Sequence, residues 1–284
     1  MRIAIATCQK NPNGNPDDIH LIEALKAGGH DVTNSVWNNE KIDWSQFDLC
    51  VLRSPWDYYK HLKKFLAWAE RVSAQTRLVN PLATITENCR KDYLLELEKR
   101  GLPIVPTFIF SDRSLAAQKS RELLKQGPIV LKPTVSGGSY LTYCLQDETG
   151  LADALSNLEN HGKILLQPFL RSVAEEGEVS LMYFRVKGHW AFSHAVLKRA
   201  AQGDFRVQAD FGGKEELYEP SAPVLELAAR ILETLNPNDL YIRIDLVNWR
   251  TQPLIGELEL IEPALFFSYS KEAAGLFAKA LLSI

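Results

Sequence analysis

Long apolar runs are absent from this chain of 284 residues. A membrane-spanning helix needs about 18 consecutive apolar residues, and no stretch approaches that length, so we expect no transmembrane segment. The apolar start at residues 1–8 is too short for a secretory signal peptide and turns polar at once. From these absences we expect a soluble protein in the cytoplasm.

Cysteine is scarce, and its spacing excludes the usual metal and disulfide patterns. The four cysteines lie far apart, with no CxxC pair and no histidine at ligand spacing. They are typical of reduced, buried thiols in a cytosolic protein. The net charge of −3 and the pI near 6.1 give no electrostatic reason to expect nucleic acid or a membrane surface as a partner.

Several nucleotide and hydrolase motifs are also missing. The chain has no GxGxxG dinucleotide fingerprint and no GxxxxGK[ST], so any phosphate site is not a P-loop. It has no GxSxG and no Cys/His signature, and nothing else suggests a covalent nucleophile. The length suits two domains or one large α/β body with a sizeable core.

The stretch from residue 241 to residue 267 carries the most informative charge pattern. Its alternation predicts two strands joined by a turn, with Arg243 and Asp245 on one face of the first strand. Glu257 and Glu259 share a face of the second strand. Paired carboxylates raise each other's pKa unless a cation lies among them, so the hairpin predicts a magnesium site. The alternative is a solvated face of an amphipathic hairpin.

Two lysines and a small-residue loop indicate a phosphate site. Residues 84–100 are predicted to form one helix with Lys91 in its middle. Lys132 lies within a predicted strand, where a charged side chain is costly without a partner. The following Ser136–Ser139 loop can close on phosphates through backbone N–H groups, and a strand is predicted from Tyr140. The alternative is a glycine-rich turn beside an edge-strand lysine.

The first 80 residues are predicted to form a small parallel α/β unit. Buried strands are expected at residues 2–7 and 47–52, with a helix between them. Arg53 and Trp56 follow the second strand, and ligands bind at the carboxyl edge of such sheets. The alternative is a loop salt bridge for Arg53 and a core position for Trp56.

Taken in chain order, these motifs resemble the ATP-grasp superfamily over residues 81–284. Within it the chain is similar to glutathione synthetase and RimK-type ligases. It is most similar to the subgroup that includes the O-ureido-serine cyclo-ligase of cycloserine biosynthesis, on the strength of LRSPWDY at residues 52–58 and ELELIEPALF at residues 257–266. The resemblance implies an α/β (α+β) ATP-grasp fold: an N-terminal parallel-sheet substrate domain at 1–80, a lid subdomain with its connecting helix at 81–170, and a mixed-sheet core at 171–284.

The resemblance also implies a role for each motif residue. The ATP-binding set comprises two phosphate lysines, the loop that covers them, the adenine hinge and a ribose-binding acid: Lys91, Lys132, Ser136, Gly137, Gly138, Ser139, Gln167, Phe169, Leu170 and Glu178. The metal set for Mg²⁺, with Mn²⁺ as an alternative, is Asp245, Glu257 and Glu259. Many ATP-grasp ligases have asparagine where this chain has Glu259, and the nearby Glu262 is an alternative ligand.

Four arginines complete the implied site. Arg206, near a Gly-Gly segment, would stabilise an acyl phosphate and its tetrahedral adduct, and Arg243 is the second catalytic candidate. Arg53 and Arg199 are candidates for substrate binding. Arg243 and Arg53 would suit substrate carboxylates, because a guanidinium group binds a carboxylate through two parallel hydrogen bonds.

The resemblance implies an ATP- and Mg-dependent carboxylate–amine ligase that forms an acyl phosphate on amino-acid-like substrates. It would join two small molecules or cyclise one, without nucleic acid or membrane partners. Dimers are common among the proteins it resembles, so a homodimer is an expectation. Two alternatives stay open: a small-molecule kinase on the same fold, and a nucleotide-binding module without turnover.

Overall fold

Three β-sheets organise the chain in a computed structural model that describes residues 1–201, 203–204, 206–207 and 211–284. One sheet is parallel and the other two are built from antiparallel neighbours. This arrangement confirms the predicted α/β class. In the part of the chain that is described, no helix has the length and apolar character needed to cross a membrane.

The N-terminal sheet has the strand order β2-β1-β3-β4. Its strands and helices, in chain order, are β1 (Arg2–Thr7), α1 (Ile19–Ala27), β2 (Asp31–Val36), β3 (Leu49–Ser54), α2 (Leu62–Ser73) and β4 (Arg77–Val79). Its central strands are buried on both faces, as expected for a parallel sheet between helices. On β1, Ile3 packs in the cluster that contains Leu25 of α1, whereas Ala4 packs in the cluster that contains Phe65 of α2.

Two short helices connect this sheet to the next: α3 (Leu82–Asn88) and α4 (Tyr93–Lys99). The prediction of a single helix over residues 84–100 is therefore wrong. Lys91 lies in the turn between α3 and α4, where its backbone N–H donates to the carbonyl of Thr134 at 2.9 Å. This tertiary hydrogen bond holds the lysine beside the predicted phosphate loop.

The second sheet is small and has the order β5-β8-β6-β7. Its elements are β5 (Phe108–Phe110), α5 (Arg113–Leu124), β6 (Ile129–Pro133), β7 (Tyr143–Leu145), α6 (Leu151–Leu158) and β8 (Ile164–Pro168). The strand predicted from Tyr140 begins only at Tyr143. Ser139 and Leu141 have φ angles of 59° and 50°, so the loop extends further than the sequence pattern indicates.

The third and largest sheet has the order β11-β10-β9-β12-β13. Its elements are α7 (Arg171–Glu175), β9 (Glu178–Val186), β10 (His189–Arg199), β11 (Lys214–Tyr218), α8 (Ala222–Leu232), β12 (Tyr241–Trp249), β13 (Gln252–Glu259) and α9 (Ala273–Leu281). An isolated parallel bridge joins Ile104 to Ile255 on β13. The antiparallel hairpin predicted between residues 241 and 267 is confirmed as β12 and β13.

One hydrophobic cluster spans the first and third sheets. It contains Ile3 and Leu21 from the N-terminal region together with Phe184, Tyr241 and Phe277. Phe277 of α9 stacks on Phe184 with ring centroids 4.7 Å apart. The N-terminal sheet is thus packed firmly on the large sheet. The three domain boundaries given above stay predictions.

Candidate active site

The β12–β13 hairpin places four charged side chains on one face of the large sheet. Arg243 pairs with Glu259, and Asp245 pairs with Glu257. The register shifts just after Asp245, which leaves Gly256 as a bulge. A Cβ atom at Gly256 would lie 3.3 Å from the Asp245 carbonyl oxygen, so glycine suits this close approach. The predicted grouping of three carboxylates with an arginine is confirmed.

Arg243 occupies the centre of this charged face. Its Nη2 donates to Glu259 Oε1 at 2.5 Å and to Asp245 Oδ2 at 2.8 Å, while its Nε donates to Asp245 Oδ1 at 2.9 Å. Burial raises the pKa of Asp245, but the charges of Arg243 and Lys198 outweigh burial and hold that pKa well below its usual range. In this conformation Arg243 anchors two predicted metal ligands. Its catalytic role stays a prediction.

Lys91 and Lys132 converge on one carboxylate. Lys132 Nζ lies 2.6 Å from Glu257 Oε1, and Lys91 Nζ lies 3.3 Å from Glu257 Oε2. Lys91 Nζ also donates to the Ser136 carbonyl at 3.0 Å. Burial would raise the pKa of Glu257, but the two ammonium groups lower it to about 2. Lys132, a charged residue within β6, therefore finds its required partner in Glu257, which is a predicted metal ligand.

Lys198 is a site residue that the sequence analysis missed. It is 5% exposed and forms an ion pair with Glu178, the predicted ribose ligand. Its Nζ also lies 3.5 Å from Asp245 Oδ1. The β9–β10 register places Lys198 opposite Glu178. Only the sheet order, in which β9 lies between β10 and β12, brings Lys198 next to Asp245, so no local sequence pattern could have found this contact.

The carboxylates do not form a metal-coordination sphere in this conformation. Among the described residues, no three His, Cys, Asp or Glu side chains are close enough to hold a metal ion. Asp245, Glu257 and Glu259 instead contact arginine and lysine nitrogens. The donor chemistry nevertheless fits Mg²⁺ or Mn²⁺, because hard cations prefer carboxylate oxygens. To bind the metal, these carboxylates would have to release the arginine and lysine side chains that they contact here.

The predicted phosphate loop faces both the lysines and the N-terminal region. Ser136 is buried and its carbonyl accepts from Lys91. Gly138 has a φ angle of 54°, a conformation that glycine adopts readily. A Cβ atom at Gly137 would lie 3.1 Å from Tyr59 Cδ1. Tyr59 follows β3, so the loop packs directly against the N-terminal domain.

The predicted adenine hinge follows β8. The Gln167 amide donates to Thr107 Oγ1 at 2.8 Å, and the Phe169 N–H donates to the Pro128 carbonyl at 2.8 Å. Leu170 is buried in a small cluster with Val105, Val247 and Leu254. The Gln167 amide and the Phe169 N–H of this segment are therefore already hydrogen-bonded within the protein. Its contact with adenine stays a prediction.

Three predicted arginines lie in different environments. Arg53 is fully buried, and its Nε donates to Asp18 Oδ1 at 2.9 Å, so in this conformation a substrate cannot reach it. This is the salt bridge that the sequence left open as an alternative. Arg199 is exposed and contacts Glu216 at 3.2 Å. The described contacts of Arg206 include Asp204 at 2.6 Å.

Trp56 and Glu262 connect the N-terminal sheet to the end of β13. The indole Nε1 of Trp56 donates to the Glu262 carbonyl oxygen at 3.0 Å. Trp56 is only half-buried, so it is not the core aromatic that the alternative expected. Burial, with the negative charge of Glu259, raises the pKa of Glu262 to about 8. Glu262 is thus a half-buried carboxyl beside the charged face.

Comparisons with known proteins agree with this architecture. The family model for the N-terminal domain of the D-cycloserine synthetase DcsG matches residues 3–80. The cycloserine biosynthesis protein DcsG of Streptomyces lavendulae is 32% identical over 278 residues, covering 92% of this chain and 91% of that protein.

Solved structures show the same relationship. The crystal structure of D-cycloserine synthetase DcsG matches with a TM-score of 0.88 and 29% identity, over 99% of this chain and 98% of that chain. An ATP-grasp RimK domain protein from Sphaerobacter thermophilus has a TM-score of 0.70 and 17% identity, over 100% of both chains, and shows the shared fold. The chain therefore belongs to the DcsG family and has the ATP-grasp fold.

Proposed function

We propose that this protein is an ATP-dependent carboxylate–amine ligase that activates a substrate carboxylate as an acyl phosphate. One observation carries the proposal: Lys91 and Lys132 reach Glu257 from outside the large sheet and meet it beside Asp245. Two fixed cations next to a row of carboxylates suit a site for phosphates and a divalent metal. The related DcsG supports the reaction class, since it is named a cycloserine synthetase.

The lysines supply the positive charge for the ATP phosphates. Both ammonium groups are bound to Glu257 in this conformation, so arrival of the phosphates would give them a second anionic partner. The loop around Gly137 and Gly138 lies close to these lysines and would exclude water from the transferred phosphoryl group. An acyl phosphate hydrolyses readily, so this protection is needed before the amine attacks.

Asp245, Glu257 and Glu259 are the residues that would hold Mg²⁺, with Mn²⁺ as a substitute. The metal would neutralise charge on the phosphates when bound. Lys198 pairs with both the half-buried Glu178 and the buried Asp245, which fixes the floor between the proposed ribose and metal positions. In this conformation Arg243 donates hydrogen bonds to both Glu259 and Asp245 and so links the two carboxylates.

The substrates we propose are small amino-acid-like molecules, either two that are joined or one that is cyclised. The likeness to DcsG, a cycloserine biosynthesis protein, makes an O-substituted serine such as O-ureidoserine the first substrate to test. We assign Arg206 and Arg243 to the acyl phosphate and Arg199 to the substrate. The cytoplasmic location and the homodimer stay predictions.

The test is an ADP-release screen with O-ureidoserine and a panel of amino-acid pairs, with products identified by mass. Hydroxylamine added to the same reactions traps an acyl phosphate as a hydroxamate. We expect ATP-dependent hydroxamate formation that falls about 100-fold in Lys132→Ala. Lys125→Ala, which removes an exposed lysine, provides the control. ADP release with phosphorylation of a substrate hydroxyl, and without hydroxamate, would instead identify a kinase.

A further inference from the structure

The outer edge of β13 is covered by side chains of the α3–α4 connector (residues 82–99). Among the described residues, β13 is the last strand in the order of the large sheet, so the backbone groups on its outer side need other partners. Ile255 finds them in the backbone: its N–H donates to Pro103 at 2.9 Å, and its carbonyl accepts from Val105 at 3.0 Å. Beyond Gly256 the partners are side chains.

Tyr93 binds both backbone groups of Leu258. The hydroxyl of this buried tyrosine accepts from the Leu258 N–H at 2.9 Å and donates to the Leu258 carbonyl at 3.1 Å. The first of these peptide groups joins Leu258 to Glu257, and the second joins it to Glu259. The hydroxyl therefore fixes the backbone between two predicted metal ligands.

Asn88 extends the same contact along the edge. Its side-chain Nδ2 donates to the Leu258 carbonyl at 2.8 Å, and its Oδ1 accepts from the Leu260 N–H at 3.0 Å, just past β13. An asparagine amide that both donates and accepts reproduces the hydrogen bonds of a neighbouring strand. The connector thus pairs with β13 without being a strand.

Lys91 lies between these two anchors. Asn88 precedes it by three residues, and Tyr93 follows it by two. Its Nζ reaches to 3.3 Å from Glu257 Oε2, and its N–H donates to Thr134. The backbone of Lys91 cannot shift along β13 without breaking the four side-chain hydrogen bonds of its neighbours. These bonds therefore set the distance from the lysine to Glu257.

We propose that Tyr93 and Asn88 are positioning residues that hold Lys91 at a fixed spacing from the β13 carboxylates and thereby set the affinity for ATP. This inference rests on the proposed ligase function, in which Lys91 and Glu257 serve the phosphates and the metal. A binding group whose backbone is already fixed loses less freedom when the ligand arrives. Displacement of such a group by about 1 Å is costly even when its chemistry is intact.

The alternative is that the connector only covers a strand edge and contributes stability. Thr84 provides the matched comparison. It is a buried residue of α3 in the same connector, and its hydroxyl donates to Asp239 Oδ1 at 2.5 Å, seven residues ahead of Lys91. Thr84→Val and Tyr93→Phe each remove one buried hydroxyl from the connector. Covering alone predicts that both variants lose stability and bind ATP equally well.

The experiment measures the Kd for ATP with Mg²⁺ by calorimetry in wild type, Tyr93→Phe, Lys91→Ala and the double variant. We expect Tyr93→Phe to raise the Kd about tenfold in the wild-type background. In the Lys91→Ala background it should change the Kd by less than about twofold, because the group that it positions is gone. Thr84→Val should bind ATP as wild type does. In the ADP-release assay, Tyr93→Phe should raise the KM for ATP and leave the KM for the amino-acid substrate unchanged.

A tenfold effect of Tyr93→Phe both with and without Lys91 would overturn the inference. An unchanged Kd in Tyr93→Phe, or an equal rise in Thr84→Val, would overturn it as well. The expected Kd pattern without hydroxamate or ADP formation in wild type would instead refute the ligase function and leave the positioning role standing. Melting temperature establishes that each variant is folded, and Asn88→Ala takes the place of Tyr93→Phe if that variant is not.

Discussion

Lys132 Nζ lies 2.6 Å from Glu257 Oε1, although the two residues belong to different sheets. Lys132 lies on β6 of the small sheet and Glu257 on β13 of the large one. The contact therefore ties the small sheet to the large sheet at the point where we place the ATP phosphates. Loss or exchange of this ion pair on ATP binding would change how the small sheet is held.

The acid stability of the free protein should depend on Glu257. Lys132 and Lys91 overcome burial and lower its pKa from 4.5 to about 2. A carboxyl group with a lowered folded-state pKa contributes stability above its unfolded pKa and loses that contribution as the pH falls. Between pH 5.5 and pH 3, wild type should lose about 1–2 kcal/mol more unfolding free energy than Glu257→Gln.

Urea unfolding at both pH values measures this difference. The control Glu226→Gln, at an exposed position of α8, should lose as much unfolding free energy as wild type. Equal losses in wild type and Glu257→Gln would show that the two lysines do not stabilise the Glu257 carboxylate in solution.

Gly137 should be sensitive to a methyl group because of Tyr59. A Cβ atom would lie 3.1 Å from Tyr59 Cδ1, so Gly137→Ala must displace either the ring or the phosphate loop. We expect Gly137→Ala to raise the KM for ATP about fivefold. Tyr59→Ala in the same chain should remove most of that increase, because residues in contact have coupled effects. Steady-state kinetics of wild type, the two single variants and the double variant measures the coupling, and additive effects would contradict the contact.

The buried pair of Arg53 and Asp18 should be structural. Arg53→Met leaves Asp18 buried without its cation, which should cost about 3–5 kcal/mol of unfolding free energy. Adding Asp18→Leu removes the unpaired charge and should restore most of that stability. Denaturant unfolding measures both effects. If the folded double variant raises the KM for the substrate carboxylate about 100-fold, Arg53 is the substrate ligand that the sequence suggested.

Local patterning predicted the charged hairpin correctly. Alternation along β12 and β13 is enough to place Arg243, Asp245, Glu257 and Glu259 on one face, because antiparallel partners share a side of the sheet. The need of Lys132 for a partner likewise follows from its place within β6. These inferences depend on neighbours in sequence or on elementary electrostatics.

Features set by tertiary contacts were not predictable in the same way. The break that places Lys91 between α3 and α4 contains no glycine or proline, and it is fixed by a hydrogen bond to Thr134. The proximity of Lys198 to Asp245 depends on sheet order, and that of Tyr59 to Gly137 depends on how the loop after β6 packs against the N-terminal region. No local period encodes any of these.

The most direct test of the account is ATP-dependent hydroxamate formation by Asp245→Asn, measured beside wild type with O-ureidoserine and the amino-acid panel. Asp245 contacts Arg243 and Lys198, and both cations keep another carboxylate in the variant, so it should remain folded. We predict a loss of about 1,000-fold in hydroxamate and ADP formation. Full activity in folded Asp245→Asn would contradict the assignment of this charged face as the phosphate and metal site.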